Sequence, residues 1–281
     1  MTTTVPTTTG LMEAGTGLAP RRPSGGSRIG WAVADTMTVV RRNLIVYTRI
    51  PEFLFFATVQ PIMFVLLFRY VFGGAIHPPG GGPYVDYLMA GIFVQSVAFG
   101  SISTAVGLAE DVQKGLLERF RALPMARSAV LTGRTTADLV RNVFVAAVIT
   151  GVGYAVGFRV GAGAGLFLAG LALILLFAYA LSWGFAVIGL SAANSETAQV
   201  MAFPILFPLV FASPAFVPVT TMPGWLRDFA IHQPVGVIVT ATRALMRGGP
   251  TAWPLEQALA WCAGLLLVFI PLAVRAYRRR A

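Results

Sequence analysis

Apolar runs of about twenty residues, the length needed to cross about 30 Å of hydrocarbon, recur six times along the chain, at 53–71, 87–108, 139–158, 166–190, 200–219 and 254–274. Each predicts a membrane-crossing helix. A seventh run, 235–245, is about half a span in length and carries Arg243, so it reads as a re-entrant or interfacial helix. From Ile29 to Arg49 the period changes: Val33, Met37, Val40, Leu44 and Tyr47 recur at steps of four and three, opposite Asp35, Arg42 and Arg49. That pattern predicts an amphipathic helix lying at the membrane interface and ending near Pro51. Before it, residues 1–28 are Thr, Gly, Pro and Ser with scattered arginines and no apolar core, which predicts a disordered cytoplasmic tail. The fold class is therefore all-α and integral to the membrane, with one domain over 29–281.

Composition agrees: 56% of residues are hydrophobic and only 11% charged. The net charge of +10 is explained by where the cations lie. Arg21, Arg22, Arg28, Arg41, Arg42 and Arg49 precede the first span, and Lys114, Arg119, Arg121, Arg127 and Arg134 separate the second from the third. Arg275, Arg278, Arg279 and Arg280 end the chain. The alternate loops hold only Arg159, Arg227, Arg243 and Arg247. Positive charge accumulates on the cytoplasmic side, so both termini are expected in the cytoplasm of a cell whose inner membrane holds the protein. Nucleic-acid binding is not needed to explain the basicity. Cys262 is the sole cysteine and sits in the last span, where packing suits it. His77 and His232 have no Cys or second His at ligand spacing, so no metal site is expected.

The densest charge is in EDVQKGLLERFRALPMARSAVLTGR, which begins at Glu110. On a helical reading of 110–123, Val112, Leu116, Phe120 and Leu123 share one face, while Glu110, Lys114, Glu118 and Arg121 form a ridge, with Asp111 and Arg119 beside it. Pro124 ends the helix. Resting on a bilayer favours cations alone, because anionic headgroups repel carboxylates; mixed charge suits a protein socket better. The chain has no ATP-binding loop, since that motif places Lys after a Gly-rich run and the only lysine stands in DVQKGLL. Acidic residues lie near span ends or in loops, which argues against proton coupling. The energy source is expected to be a separate ATPase.

Arg69 near the end of the first span reads as snorkelling to the outer headgroups, with a substrate role as the alternative. Gln60-Pro61 is expected to loosen that helix locally. On the fifth span Phe203, Phe207 and Phe211 recur at steps of four, disturbed by Pro204 and Pro208. They serve either as ordinary packing or lipid contact, or as a path for planar apolar cargo, with Gln60, Gln95 and Ser96 as sparse polar anchors. Beyond them Pro214, Pro218 and Pro223 forbid one continuous helix. Trp225 follows, and Gln233-Pro234 restarts a short helix bearing Arg243. A membrane-embedded transferase would have to draw on Asp86, Asp228, His77 and His232, whose spacing forms no nucleophile and base arrangement.

Two segments now resemble the permease subunit of type-2 ATP-binding-cassette exporters, in the daunorubicin-resistance branch. These are AEDVQKGLLERFRALPMARSAVLTGRTTADLVRN, from Ala109, and ASPAFVPVTTMPGWLRDFAIHQPVGVIVTATRALMRGG, from Ala212. A weaker third is LFFATVQPIMFVLLFRYVFGGAI, from Leu54. The resemblance implies that 110–123 is the helix seated in a groove on the ATPase, with Gly115 and Glu118 at the family's preferred positions. It also implies a dimer of permeases, with the same or a related chain as second copy, above a dimer of ATPases that hold ATP and Mg. The proline-rich segment becomes an external gate, or equally a structural plug. The implied cargo is a hydrophobic drug or antibiotic-like natural product, with lipids and lipid-linked glycans as the alternative. The permease itself is then not catalytic, and needs no cofactor of its own.

Overall fold

The computed structural model describes residues 28–49, 51–79, 81–116 and 127–280, so most of the N-terminal tail lies outside it, as does 117–126 of the charged segment. Ten α-helices carry the described chain, and no strand occurs among the described residues. Helix α1 (Arg28–Arg49) precedes α2 (Pro51–Leu67), which is prolonged by a π-helical turn, Phe68–Phe72. Next come α3 (Tyr84–Gly100), α4 (Ile102–Gln113) and α5 (Arg127–Ala155). Then follow α6 (Ala164–Ser191), α7 (Ser195–Phe211), α8 (Gly224–His232), α9 (Pro234–Arg247) and α10 (Ala252–Arg280).

Helix α6 organises the molecule, touching α3, α4, α5, α7, α9 and α10. Its buried positions include Gly170, Ala178, Ala180, Ser182, Ala186 and Gly189. Small side chains let helix backbones approach closely, which matters in lipid because tails give no hydrophobic drive for helices to associate. The end of α10 packs at one end of the bundle: the Arg280 guanidinium donates to the Ser191 carbonyl at 3.0 Å, beside the start of α7. We call this the terminal end and the opposite one the far end. At the far end Arg247 donates to the Gly81 carbonyl at 2.9 Å, and the Arg159 N–H donates to Asp86 at 2.9 Å.

The elements depart from the sequence expectations in four informative places. Among the residues of α1 whose burial is described, Val39, Val40 and Asn43 are buried, while Val33 and Met37 are 58% and 62% exposed. Thus α1 turns a mixed face to α5 and leaves much of its apolar stripe uncovered, as an interfacial helix does when lipid takes the stripe. Pro61 does not interrupt α2. The irregularity comes later, in the π turn beside Arg69, whose Nε lies 3.5 Å from the Val156 carbonyl at the end of α5. Arg69 therefore serves a helix terminus, a structural role.

Span two is broken at Ser101, whose hydroxyl bonds back to the Val97 carbonyl at 3.0 Å while Ser103 bonds to Gly100 at 2.8 Å. Such back-bonding competes with the ladder and bends helices. Finally, the fifth apolar run does not make a helix over 200–219. Asn194 caps α7 by accepting the Thr197 N–H at 2.8 Å, so the helix starts at Ser195, five residues earlier than expected, and it stops at Phe211. From Ala212 to Pro218 the run is non-helical because proline lacks the N–H and clashes with the preceding turn. Among the described residues five helical stretches are long and apolar enough to cross a bilayer, and α7, with 17 residues, is a shorter apolar helix.

Candidate functional site

Three regions hold the residues singled out from the sequence. At the terminal end, Glu110 and Lys114 form the expected i,i+4 pair at 3.4 Å and face outward. The expected single helix over 110–123 does not form: Glu110–Gln113 is the last turn of α4, and Gly115 adopts φ +65°, a left-handed conformation that glycine takes without steric cost. Glu118, Arg119, Phe120, Arg121 and Leu123 lie outside the described residues.

Asp111 turns inward. It is 7% exposed and pairs with Arg42 of α1 at 3.3 Å and with Arg134 of α5 at 3.8 Å. Arg134 in turn lies 3.8 Å from Asp138, which is fully buried and accepts the Thr104 hydroxyl at 2.5 Å. One turn further along α5, Arg141 donates to the Gly100 carbonyl at 2.7 Å, to Asn142 at 3.2 Å and to the Ser103 hydroxyl. A polar chain thus ties α1, α4 and α5 together behind the charged segment. Sequence reasoning missed it, although Arg134, Asp138 and Arg141 follow at steps of four and three, which puts them on one helical face.

Beyond Arg141 the helices part around a cavity of about 650 Å³, bordered by α2, α3, α4, α5 and α7. Gln60, Gln95 and Phe203, all expected on the pathway, line it together with Ser96, Arg141, Asn142 and Gln199. Its mouth is made of exposed Phe56, Gln60, Gln199 and Phe203, whereas Gln95, Arg141 and Asn142 are buried at its floor. The mixture of an apolar wall with a few convergent polar groups is what small-molecule sites have in common.

Phe207 and Phe211 lie outside the cavity but continue from it. Ring centroids run from Phe99 to Phe203 at 6.0 Å, to Phe207 at 5.5 Å and to Phe211 at 4.5 Å. The row ends on Phe216 at 5.5 Å, itself stacked on Phe68 at 4.5 Å. Phe203, Phe207 and Phe211 stay 47%, 45% and 37% exposed, so the ladder is an open face and not core.

That row reaches the far-end segment, which is pinned. Pro214 is buried, and its carbonyl accepts from Arg243 at 2.6 Å and from the Tyr87 hydroxyl at 3.2 Å. The Arg243 guanidinium also lies 3.5 Å from the centroid of the Tyr87 ring, a cation–π contact. Ala215 crosses α3 at Gly91, where a Cβ would collide with the Ala215 backbone. Gln233 accepts the Val235 N–H at 2.8 Å, capping α9, and donates to the Leu209 carbonyl at 2.9 Å. Pro218 is buried and Pro234 half-buried, whereas Pro223 is exposed and Trp225 is 75% exposed at the start of α8. The expected outer-gate residues therefore split into a pinned group and an open pair.

Two of the reactive groups considered for a transferase are engaged by backbone groups. Asp86 accepts from the Arg159 N–H, and the His232 ring bonds to the Asp228 carbonyl at 2.7 Å. No group of three metal-ligating side chains occurs among the described residues.

The model of the ABC-2 type transporter family matches residues 34–246. The daunorubicin resistance ABC transporter permease protein DrrB1 of Streptomyces coeruleorubidus is 33% identical over 249 residues, covering 89% of this chain and 88% of that protein. The probable doxorubicin resistance ABC transporter permease protein DrrC of Mycobacterium tuberculosis is 29% identical over 264 residues, covering 93% and 95%. The doxorubicin resistance ABC transporter permease protein DrrB of the same species is 28% identical over 191 residues, 65% of each chain. The family match takes in the polar chain, the cavity and the pinned segment alike, and the chain belongs to the ABC-2 type transporters as a membrane permease homologous to drug-resistance permeases.

Proposed function

We propose that the chain is the membrane subunit of an ATP-driven exporter that moves hydrophobic or amphipathic small molecules out across the cytoplasmic membrane. The observation that carries this reading is the continuity of the 650 Å³ cavity with the row of exposed phenylalanines that ends beneath the pinned segment. A planar apolar molecule entering the mouth meets stacking surfaces along the whole row, with no charged side chain among the rings to desolvate. The pinned segment, held by Arg243, Tyr87 and Gln233, closes that row at the outer face.

Energy comes from a separate ATP-binding subunit, which holds ATP and Mg and docks on the charged segment that starts at Glu110. In this reading two permeases stand over two ATPases. Movement of the segment passes to the cavity through Asp111, Arg134 and Asp138, because Arg141 lies one turn beyond Asp138. The exporter's termini and its charged segment face the cytoplasm, in keeping with the arginine bias.

The test is transport. Vesicles containing the chain and its cognate ATPase should accumulate apolar fluorescent amphiphiles only when ATP is supplied. Phe203→Ala should lower that rate severalfold with little change in melting temperature, since the ring is half exposed. Glu118→Lys combined with Phe120→Ala should lose ATPase assembly while the permease stays folded. Wild-type rates in both variants would rule out the pathway and the docking segment.

A further inference from the structure

Arg141 is an anomaly within an apolar pathway. It is 4% exposed at the cavity floor, carries a full positive charge, and donates only to neutral oxygens: the Gly100 carbonyl, the Ser103 hydroxyl and the Asn142 amide. Asp138, one turn earlier, is engaged by Thr104 and Arg134. The nearby polar groups are also incompletely used. At this floor Arg141 Nε and Asn142 Nδ2 are buried donors without an acceptor, and Gln95 Oε1 is a buried acceptor without a donor. Burying an unpaired charge is costly, and leaving donors unsatisfied beside it adds to the cost.

We propose that this floor is an anion subsite, and that the cargo is an amphiphile with one negatively charged head and an apolar body. The inference rests on the exporter reading of the cavity and narrows its cargo. Arg141 Nε and Asn142 Nδ2 supply the donors that a carboxylate or phosphate oxygen requires, and guanidinium is the side chain best suited to hold such a group with little water. The body then lies against Phe56, Phe99 and Phe203 toward the mouth. A cationic head of the same size would face Arg141 across a wall of low polarity and be repelled. Seating the head would draw Arg141 toward it and away from Gly100 or Ser103, at the break between α3 and α4. Occupancy of the cavity would thereby be felt by α4, the helix that leads into the charged segment.

Three probes that share one apolar body separate the charge from the rest: pyrenebutyrate, pyrenebutanol and pyrenebutylamine. Their binding to the full chain is measured by equilibrium dialysis in phosphatidylcholine nanodiscs, with empty nanodiscs as the blank. Pyrenebutyrate should bind about tenfold more tightly than the amine, with the alcohol between. Asn142→Asp places a carboxylate where Arg141 already donates, so it keeps the arginine's contacts while neutralising the floor. It should abolish the preference, as should Arg141→Gln if that variant folds. Displacement of pyrenebutyrate by phosphatidylglycerol would mark a lipid headgroup as the resident anion, and failure to displace it would mark a soluble amphiphile; both uphold the subsite. Equal affinities in wild type, or a preference untouched by Asn142→Asp, would overturn it. Equal affinities with ATP-driven transport intact would leave the exporter reading standing. Charge-selective binding without ATP-driven transport of any probe would do the reverse.

Discussion

Asp138 is the more deeply buried of the two carboxylates in the polar chain. It is fully buried, its oxygen accepts from Thr104 of α4, and Arg134 lies within 3.8 Å on its own helix. Removing Asp138 takes the charged acceptor from Thr104 and one of two carboxylates from Arg134, which keeps Asp111 at 3.8 Å; losing a hydrogen bond to a charged group costs about 1.5–3 kcal/mol. Asp138→Ala should therefore lower stability by about that amount, measured as the melting temperature or denaturant midpoint of the purified chain. Thr104→Val removes one hydrogen bond to a charged acceptor and should cost about 1.5–3 kcal/mol. Because both substitutions act on one contact, the double variant should fall short of the sum of the two. Full additivity would mean that the contact between α4 and α5 is not made through this pair.

Among the elements, the junction after α4 is where local structure meets function. Gly115 at φ +65° lets the chain leave the helix immediately after Lys114. An L-residue held in that conformation costs about 1–2 kcal/mol, so Gly115→Val should either strain the junction or let α4 run on. In both cases the direction of the charged segment changes. The expected result is weaker drug-stimulated ATP hydrolysis in the reconstituted pair, with the permease's melting temperature lowered by a few degrees at most. Unchanged stimulation would show that the turn does not set the docking geometry. The sequence was legible here in part. The charge cluster and the i,i+4 pair of Glu110 and Lys114 follow from helical periodicity alone. That Asp111 faces inward does not, because its orientation is decided by Arg42 and Arg134, which approach from helices distant in sequence. The same division holds elsewhere. Runs of apolar residues place α2, α3, α5, α6 and α10, and Gln233-Pro234 places the start of α9. The early start of α7 depends on the Asn194 cap, a local signal that hydropathy ignores. The cavity floor depends on Arg141 meeting the break at Ser101, which is a tertiary event.

For the molecule as a whole, where the end of α10 lies bears on the number of crossings. The end of α10 lies against the end of α6, since Arg280 donates to the carbonyls of Ser191 and Ala192. Between those two points the chain must therefore cross and return. Helix α10 makes one of these crossings, so α7 has to supply the other. At 17 residues it rises about 26 Å, short of the roughly 30 Å of hydrocarbon. Buried Ser213, Pro214, Ala215 and Phe216 complete the passage, and non-helical backbone is tolerable at that depth because it is packed in protein and held by Arg243 and Tyr84. Helix α9, too short to cross, returns to the same face. We propose from this six passes with the start of α2 and the end of α10 on one side, which the arginine bias would make the cytoplasmic one. Single cysteines test the result directly on a Cys262→Ala background, since Cys262 is the sole native thiol and is buried. His77→Cys and Thr220→Cys should react with a membrane-impermeant maleimide in intact cells. Lys114→Cys and Ala193→Cys should react only after the membrane is permeabilised. Reaction of Ala193→Cys in intact cells while Thr220→Cys is protected would invert the orientation, and reaction of both would mean that α7 does not cross.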